Sequence, residues 1–302
     1  MRVLVTGASG FVGRATCSEL QERGHEVVAL VRRPGSEPPG TTAVEGDISK
    51  GDESSLNGPV GEAQPEAIIH LAAEIASQRN QRKILATNVD GTRRIVAGAK
   101  ASGTNPRLVF CSTVVTGDAH GALLEPDKPL PVTTPYGRSK QEGEHVVSHS
   151  GLPHAIVRPS HVYGPGGWYE EEFVNRLRQP GRFAVIGRGD NWWDVVRVED
   201  VATALVSAAE RAPDGAVYHA ADDEPIRFYD FIALTADALG VGPPRRIPAA
   251  LARLAAGRHA VTAVTRSARS SNAALKAGLG WRPRFPTAEV GVPDAVAGIR
   301  PD

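Results

Sequence analysis

The sequence has few cysteines, no excess of either charge and no long apolar run. Cys17 and Cys111 are too few for a disulfide framework and lack the spacing of metal ligands, so we expect reduced thiols, no metal site and a cytoplasmic protein. Basic and acidic residues number 34 each, which disfavours a nucleic-acid partner. We find neither a signal peptide nor an 18-residue apolar run, and we expect no membrane partner.

What the sequence does have is a regular alternation in its first half. Short apolar runs rich in β-branched residues alternate with amphipathic stretches, which is typical of stacked βαβ units with a parallel sheet. We predict helices that begin near Phe11, Asn88 and Tyr136. The predicted strands are 2–7, 26–31, 66–72, 107–113, 154–160 and 216–222, with a further short strand before Asp47.

Three glycines follow the first predicted strand. In "VLVTGASGFVGRATCSEL", Gly7, Gly10 and Gly13 lie between that strand and the first helix. Glycines are needed where the backbone turns tightly and lets a pyrophosphate approach the positive end of a helix. This context predicts dinucleotide binding on a doubly wound, Rossmann-like α/β sheet.

The alternation ends after about residue 160, where Pro, Gly and Trp-rich segments begin. We predict a dinucleotide-binding domain at 1–160, to which 192–222 returns. A smaller C-terminal lid, built from 161–191 and 223–302, would bind the substrate.

The end of the second strand bears on the choice of cofactor. An NAD site favours a carboxylate there, but "VVALVRRP" has Val31 at that position, followed by Arg32 and Arg33. Two guanidinium groups suit a 2′-phosphate, so NADP is predicted, with NAD as the alternative. The arginines would otherwise be solvated residues at a loop edge, with no role in cofactor binding. Asp47 is a candidate acceptor for the adenine amino group, or an exposed turn residue.

Tyr136 and Lys140 are four positions apart in "TPYGRSKQEGEH". Lysine is scarce, and chance predicts roughly 0.1 such pairs in the chain. Residues at this spacing share one face of a helix. Because an ammonium group beside a phenol favours the phenolate, we expect Lys140 to lower the pKa of Tyr136 toward neutrality.

The glycine motif, "IIHLAA", "TNVDGT", "VFCSTVVTG", "YGRSK" and "RPSHVYGP" occur in one order. Together they resemble the extended short-chain dehydrogenases/reductases of the NAD-dependent epimerase/dehydratase family, over essentially the whole chain. The resemblance implies hydride transfer between nicotinamide and a secondary alcohol or ketone of a small molecule. Tyr136 would exchange the proton with the substrate oxygen, and Lys140 would also hold the nicotinamide ribose.

The same resemblance assigns further residues. Ser112, five positions before Gly117, would hydrogen-bond the substrate oxygen, with Thr113 as the fallback. His70 is interpreted as a packed strand residue. A homodimer through the helices near Asn88 and Tyr136 is expected. The other residues that would line the cofactor are Phe11, Val12, Ile48, Leu71, Ala72, Ala73, Asn88, Pro159 and Ser160.

Two positions depart from the nucleotide-sugar members of this family. His161 stands where they usually carry an asparagine, and Trp193 stands where they tend to carry an arginine. Both are candidate substrate-binding residues, and an indole in place of a guanidinium favours a less anionic substrate. A protonated His161 would still bind an anion, and Arg266 or Arg269 would serve as a diphosphate contact, so nucleotide sugars remain open.

Three hypotheses follow. The first is an NAD(P)-dependent oxidoreductase that interconverts a secondary alcohol and a ketone. The second is a nucleotide-sugar epimerase or dehydratase that retains its cofactor. The third is a non-catalytic dinucleotide sensor, which would not need the Tyr136, Lys140 and Ser112 set.

Overall fold

A computed structural model describes residues 1–78, 80–179, 181, 183–252, 261 and 264–299. The strands are β1 (Arg2–Thr6), β2 (Glu26–Val31), β3 (Thr42–Glu45), β4 (Ala67–His70), β5 (Arg107–Cys111), β6 (Leu123–Leu124), β7 (His154–Pro159), β8 (His161–Tyr163), β9 (Ala184–Ile186), β10 (Trp192–Trp193), β11 (Val195–Arg197), β12 (Ala216–Ala220), β13 (Ile226–Arg227), β14 (Arg245–Ile247) and β15 (Arg269–Ser270). The helices are α1 (Phe11–Glu22), α2 (Asn57–Ala63), α3 (Gln81–Leu85), α4 (Gly91–Ala101), α5 (Pro135–Ser148), α6 (Asn175–Leu177), α7 (Val198–Arg211), α8 (Phe228–Ala238), α9 (Ala273–Leu279) and α10 (Ala288–Ala297).

Seven strands form the central sheet, and all of its pairings are parallel. The order is β12-β7-β5-β4-β1-β2-β3, so the chain builds outward from β1 in one direction and then from β4 in the other. The predicted doubly wound, Rossmann-like sheet is confirmed. In such a sheet, ligands bind at the carboxyl ends of the strands where the order reverses, here between β1 and β4.

Both faces of the sheet are covered, which explains why its central strands carry apolar residues on both faces. Side chains alternate along a strand, so Val3 and Val5 of β1 enter one core cluster and Leu4 enters the other. The first cluster includes α1 and α7 residues such as Leu20 and Leu205. A third, aromatic-rich cluster lies in the later part of the chain, and it includes Tyr163, Tyr169, Phe173, Trp193, Phe228 and Phe231.

A helix does begin near Asn88, because α4 starts at Gly91, but the helical turns before it were not predicted. α3 begins at Gln81 because the Asn80 side chain accepts a hydrogen bond from the Lys83 amide and caps the first turn. A π-helical turn over Ala86–Asp90 then joins α3 to α4. In the described part of the chain, no helix is both long and apolar enough to cross a membrane.

Candidate active site

The turn after β1 depends on two glycines. Gly7 has a φ of +69°, and a Cβ atom there would lie 2.8 Å from the Ala72 nitrogen. A Cβ atom at Gly13 would lie 2.1 Å from the Gly7 carbonyl oxygen, so the start of α1 packs directly on the turn. The Gly10 amide donates to the same oxygen at 3.0 Å and closes the turn. No larger residue at Gly7 or Gly13 would preserve this geometry.

This turn leaves the positive end of α1 open to an anion. Gly10 is the residue before the helix, and in the described chain no side chain caps the amides that follow at Phe11, Val12 and Gly13. Helix amides without an intrahelical partner are donors for a phosphate group. The turn and the helix end therefore fit the diphosphate of a dinucleotide.

The run after β4 lies opposite the glycine turn. The Leu71 and Ala72 amides donate to Thr6 Oγ1 at 3.2 and 3.1 Å, which holds this run beside β1. Ala73 continues the run and is half-buried. These residues are positioned as a wall of the predicted cofactor site.

The two arginines after β2 are available to a ligand. Arg32 and Arg33 are exposed, and among the described residues their guanidinium groups make no hydrogen bond or ion pair. Asp47 is held by the Ser49 amide and hydroxyl at 2.9 and 2.6 Å. Burial opposes the effect, but these bonds and the charge of Lys50 keep the pKa of Asp47 below its usual value. Ile48 is buried beside Asp47.

Helix α5 carries Tyr136 and Lys140 to the end of β5. Thr134 caps the helix by accepting a hydrogen bond from the Gly137 amide at 2.9 Å. A Cβ atom at Gly137 would lie 2.7 Å from the Thr116 carbonyl oxygen, so the helix starts directly against the segment that follows β5. Lys140 is buried, with its Nζ 4.3 Å from the centroid of the Phe110 ring on β5.

The expected lowering of the Tyr136 pKa was wrong. Burial raises the pKa of Tyr136 well above its usual value, and the ionisable Cys111 thiol raises it further. Burial also lowers the pKa of Lys140, although Cys111 and Glu144 oppose that shift. Desolvation disfavours the charged form of each group, and the charge of Lys140 does not offset it at Tyr136. Cys111, the last residue of β5, influences both groups, and Lys140 Nζ lies over the ring of Phe110 on the same strand.

Ser112 differs from its fallback, Thr113, in having a free hydroxyl. Ser112 is 5% exposed, and its Oγ has no partner among the described residues. Thr113 Oγ1 instead donates to the Pro159 carbonyl oxygen at 3.3 Å and accepts from the Val115 amide at 2.9 Å. A buried hydroxyl without a partner is costly, and a bound ligand is one way in which such a group is satisfied. Ser160 Oγ, on the run after β7, is also buried and unpartnered.

Asn88 and His70 are engaged within the protein. The Asn88 amide nitrogen donates to the Glu74 carbonyl oxygen at 3.0 Å and to Ser139 Oγ at 2.9 Å, and its oxygen accepts from the Glu74 amide. His70 lies between Thr6 and Thr92, and burial with the charge of Lys140 lowers its pKa to about 3. His70 is therefore packed in its strand, as predicted, and Asn88 fixes α5 beside the run after β4.

The two predicted substrate residues from the later part of the chain lie together. The His161 ring stacks on Trp193, with centroids 3.6 Å apart. Its Nδ1 lies 2.9 Å from the Asp194 carbonyl oxygen. Trp193 is 3% exposed, packs edge-on against Phe228, and has an unpartnered indole nitrogen within the described structure.

The suggestion that His161 binds an anion in its protonated form is not supported. Burial lowers the pKa of His161, the charge of Arg266 lowers it further, and Asp194 only partly compensates. The ring is therefore neutral at neutral pH. A neutral imidazole contributes no charge toward a phosphate group.

The suggested diphosphate role of Arg266 was wrong, and that of Arg269 finds no support. Arg266 is 4% exposed and donates to the carbonyl oxygens of Gly117 at 2.7 Å and Val114 at 2.9 Å. It also donates to Asp194 Oδ1 at 3.1 Å. Arg269 donates to the Gly121 carbonyl oxygen at 3.0 Å. The Arg266–Asp194 ion pair was not predicted from the sequence. The one available signal was an acidic residue, Asp194, directly after two tryptophans.

Comparison with known proteins identifies the family. A sequence model described as the NAD dependent epimerase/dehydratase family matches residues 3–221. The chain belongs to this family. The match begins at the second residue of β1 and extends past β12, so it includes the glycine turn, Ser112, Tyr136 and Lys140.

Curated relatives of this family member include reductases and epimerases. A 3-diazoavenalumate denitrifying reductase of a Streptomyces species is 31% identical over 300 residues, covering 95% of this chain and 97% of that protein. A 2-alkyl-3-oxoalkanoate reductase of Stenotrophomonas maltophilia is 30% identical over 265 residues, covering 81% of this chain and 77% of that protein. The chain is an NAD(P)-dependent enzyme of the extended short-chain dehydrogenase/reductase type.

A solved structure extends the likeness to the fold. UDP-glucose 4-epimerase of Thermus thermophilus in complex with NAD is 24% identical, with a TM-score of 0.82 and coverage of 99% of each chain. At that identity the likeness concerns the fold alone.

Proposed function

We propose that this chain is an NADP(H)-dependent oxidoreductase that interconverts a secondary alcohol and a ketone of a small molecule. The observation that carries the proposal is the buried, unpartnered hydroxyl of Ser112 at the end of β5. It lies on the segment against which α5, with Tyr136 and Lys140, begins. A substrate oxygen would satisfy this hydroxyl.

The bound nicotinamide supplies the hydride chemistry, and the protein supplies position and a proton. Ser112 Oγ and the Tyr136 hydroxyl hold the substrate oxygen. Tyr136 is protonated at neutral pH because its pKa is raised, which is the form required to donate a proton during reduction. Lys140 holds the nicotinamide ribose and stabilises the phenolate that remains after the proton has left.

The glycine turn and the α1 amides hold the diphosphate, and Arg32 and Arg33 hold a 2′-phosphate. Asp47 and Ile48 line the adenosine side of the site, the run of Leu71, Ala72 and Ala73 lies beside the diphosphate, and Pro159 and Ser160 line the nicotinamide side. Asn88 acts by fixing α5. Two exposed guanidinium groups, for which the described residues offer no hydrogen bond or ion pair, favour NADP over NAD here, because a 2′-phosphate would bind them and a 2′-hydroxyl carries no charge.

A nucleotide-sugar epimerase is the second candidate. The relative supporting it is UDP-glucose 4-epimerase of Mycolicibacterium smegmatis, which is 28% identical over 311 residues. The neutral His161 and the engaged Arg266 weigh against a nucleoside diphosphate substrate. A non-catalytic sensor would gain nothing from an unpartnered Ser112 hydroxyl.

Nicotinamide absorbance with a panel of ketones tests the proposal. A reductase consumes NADPH in proportion to the alcohol formed, whereas an epimerase leaves the absorbance unchanged. Replacing Arg32 and Arg33 together by Ala should raise KM for NADPH about 10- to 100-fold, through loss of charge-assisted bonds, and leave KM for NADH within about twofold. An equal rise for both cofactors would contradict the NADP assignment.

Three further assignments belong to this proposal. Residues 1–160 together with 192–222 form the dinucleotide-binding domain, and 161–191 with 223–302 form the substrate lid. Two copies pair through α4 and α5. The enzyme acts in the cytoplasm.

A further inference from the structure

His161 has one ring nitrogen held by the protein and one left free. Nδ1 lies 2.9 Å from the Asp194 carbonyl oxygen and 3.4 Å from Asp194 Oδ1. A carbonyl oxygen and an ionised carboxylate only accept hydrogen bonds, so Nδ1 carries the proton. Nε2 of a neutral ring is then an acceptor. The His161 side chain is 10% exposed, and Nε2 has no hydrogen-bond partner among the described residues.

This acceptor lies beside the reaction site. The Ser112 amide donates to the Val157 carbonyl oxygen at 2.7 Å, and the Val114 amide donates to that of Pro159 at 3.0 Å. The segment 112–117, called the Ser112 segment, therefore runs alongside the end of β7. His161 follows two positions after Pro159, the last residue of β7. Ser160, between them, has its own buried hydroxyl without a partner.

Aromatic rings and an acidic residue surround the acceptor. Trp193 covers one face of the imidazole, and the Trp168 ring lies edge-on at 6.3 Å between centroids. The Asp194 carboxylate behind the ring is 2% exposed and is compensated by Arg266. Its partner Arg266 is thereby unavailable to an anionic substrate, and an unpaired anion near a buried carboxylate is disfavoured.

We propose that His161 determines specificity, with Nε2 accepting a hydrogen bond from a hydroxyl or N–H group of the substrate. The site takes an uncharged, ring-containing ketone with such a donor, rather than a nucleoside diphosphate sugar. This inference rests on the proposed ketone and alcohol chemistry. His161 is distinct from the proton donor, because Tyr136 performs that step.

Binding to the complex with NADP⁺ tests the inference without turnover. The probes are the three hydroxyacetophenone isomers, their methyl ethers, which cannot donate, and UDP-glucose. Calorimetry on the wild-type protein should give at least one hydroxy isomer an affinity about 10- to 100-fold above that of its ether. His161→Asn keeps a donor toward Asp194, but its shorter side chain ends before the position of Nε2 and places no acceptor there, so the ratio should fall to within about twofold. His149→Asn, at an exposed position, is the matched control and should keep the ratio.

Several results would overturn the inference. These are equal affinity for every hydroxy and methoxy pair in the wild-type protein, no binding of any acetophenone, a ratio that persists in His161→Asn, or UDP-glucose binding that displaces the ketones. The wild-type comparison decides the matter even if His161→Asn does not fold. Failure of the redox proposal would be seen separately, as a ketone that binds with the expected preference while NADPH is not consumed.

Discussion

At the scale of single residues, the site is marked by polar groups that the protein leaves without partners. Ser112 and Ser160 have buried hydroxyls without a partner among the described residues. The hydroxyl of Thr113, the residue after Ser112, instead hydrogen-bonds the backbone of Pro159 and Val115. Desolvated polar groups lower stability unless something binds them. The contrast between two neighbouring hydroxyls therefore gives a direct test.

Ser112→Ala should lower kcat for ketone reduction about 100- to 1,000-fold, as expected for loss of a donor to the reacting oxygen. Thr113→Ala is the matched control and should lower kcat by less than about tenfold. Steady-state kinetics with saturating NADPH provide the measurement. Similar losses in the two variants would place the oxygen contact elsewhere.

The raised pKa of Tyr136 sets a pH dependence with a definite sign. Reduction uses the protonated phenol, so kcat/KM for the ketone should be flat from about pH 6 to 9 and fall only above that range. Oxidation of the alcohol uses the phenolate, so kcat/KM should rise with pH by about tenfold per unit over the same range. A reduction profile that falls with an apparent pKa near 7 would contradict a raised pKa of Tyr136 in the working enzyme.

At the scale of elements, Arg266, which precedes β15, holds the Ser112 segment after β5 in place. Arg266 reaches the carbonyl oxygens of Val114 and Gly117 across 152 and 149 positions of sequence, and Asp194 balances its charge. The same Asp194 orients His161. One buried ion pair therefore positions both the Ser112 segment and the proposed specificity residue.

Arg266→Met should lower the free energy of unfolding by about 3–5 kcal/mol, because it leaves the Asp194 carboxylate buried without its counter-charge. Arg269→Met, which removes one hydrogen bond from a half-buried arginine, should cost about 1 kcal/mol. Urea unfolding followed by circular dichroism compares the two. Equal losses would mean that the buried pair has no special role.

At the scale of the whole molecule, the sheet was predictable because its signals are local. Strand periodicity and the glycine turn are recognised from neighbouring residues. The pairing of Tyr136 and Lys140 is recognised from their spacing of one helical turn. The Arg266 network was not predictable, because its partners lie far apart in sequence and only folding joins them. The Tyr136 pKa was mispredicted for a related reason, since spacing indicates a neighbouring charge but not the depth of burial.

The most direct test of the account is the Tyr136→Phe variant, assayed for NADPH consumption with a ketone that the wild-type enzyme reduces. We predict a kcat lower by about 100- to 10,000-fold, from loss of the proton donor, with the Kd for NADPH within about threefold of wild type. Retention of wild-type kcat with NADPH still bound would contradict the assignment of Tyr136 as the proton donor.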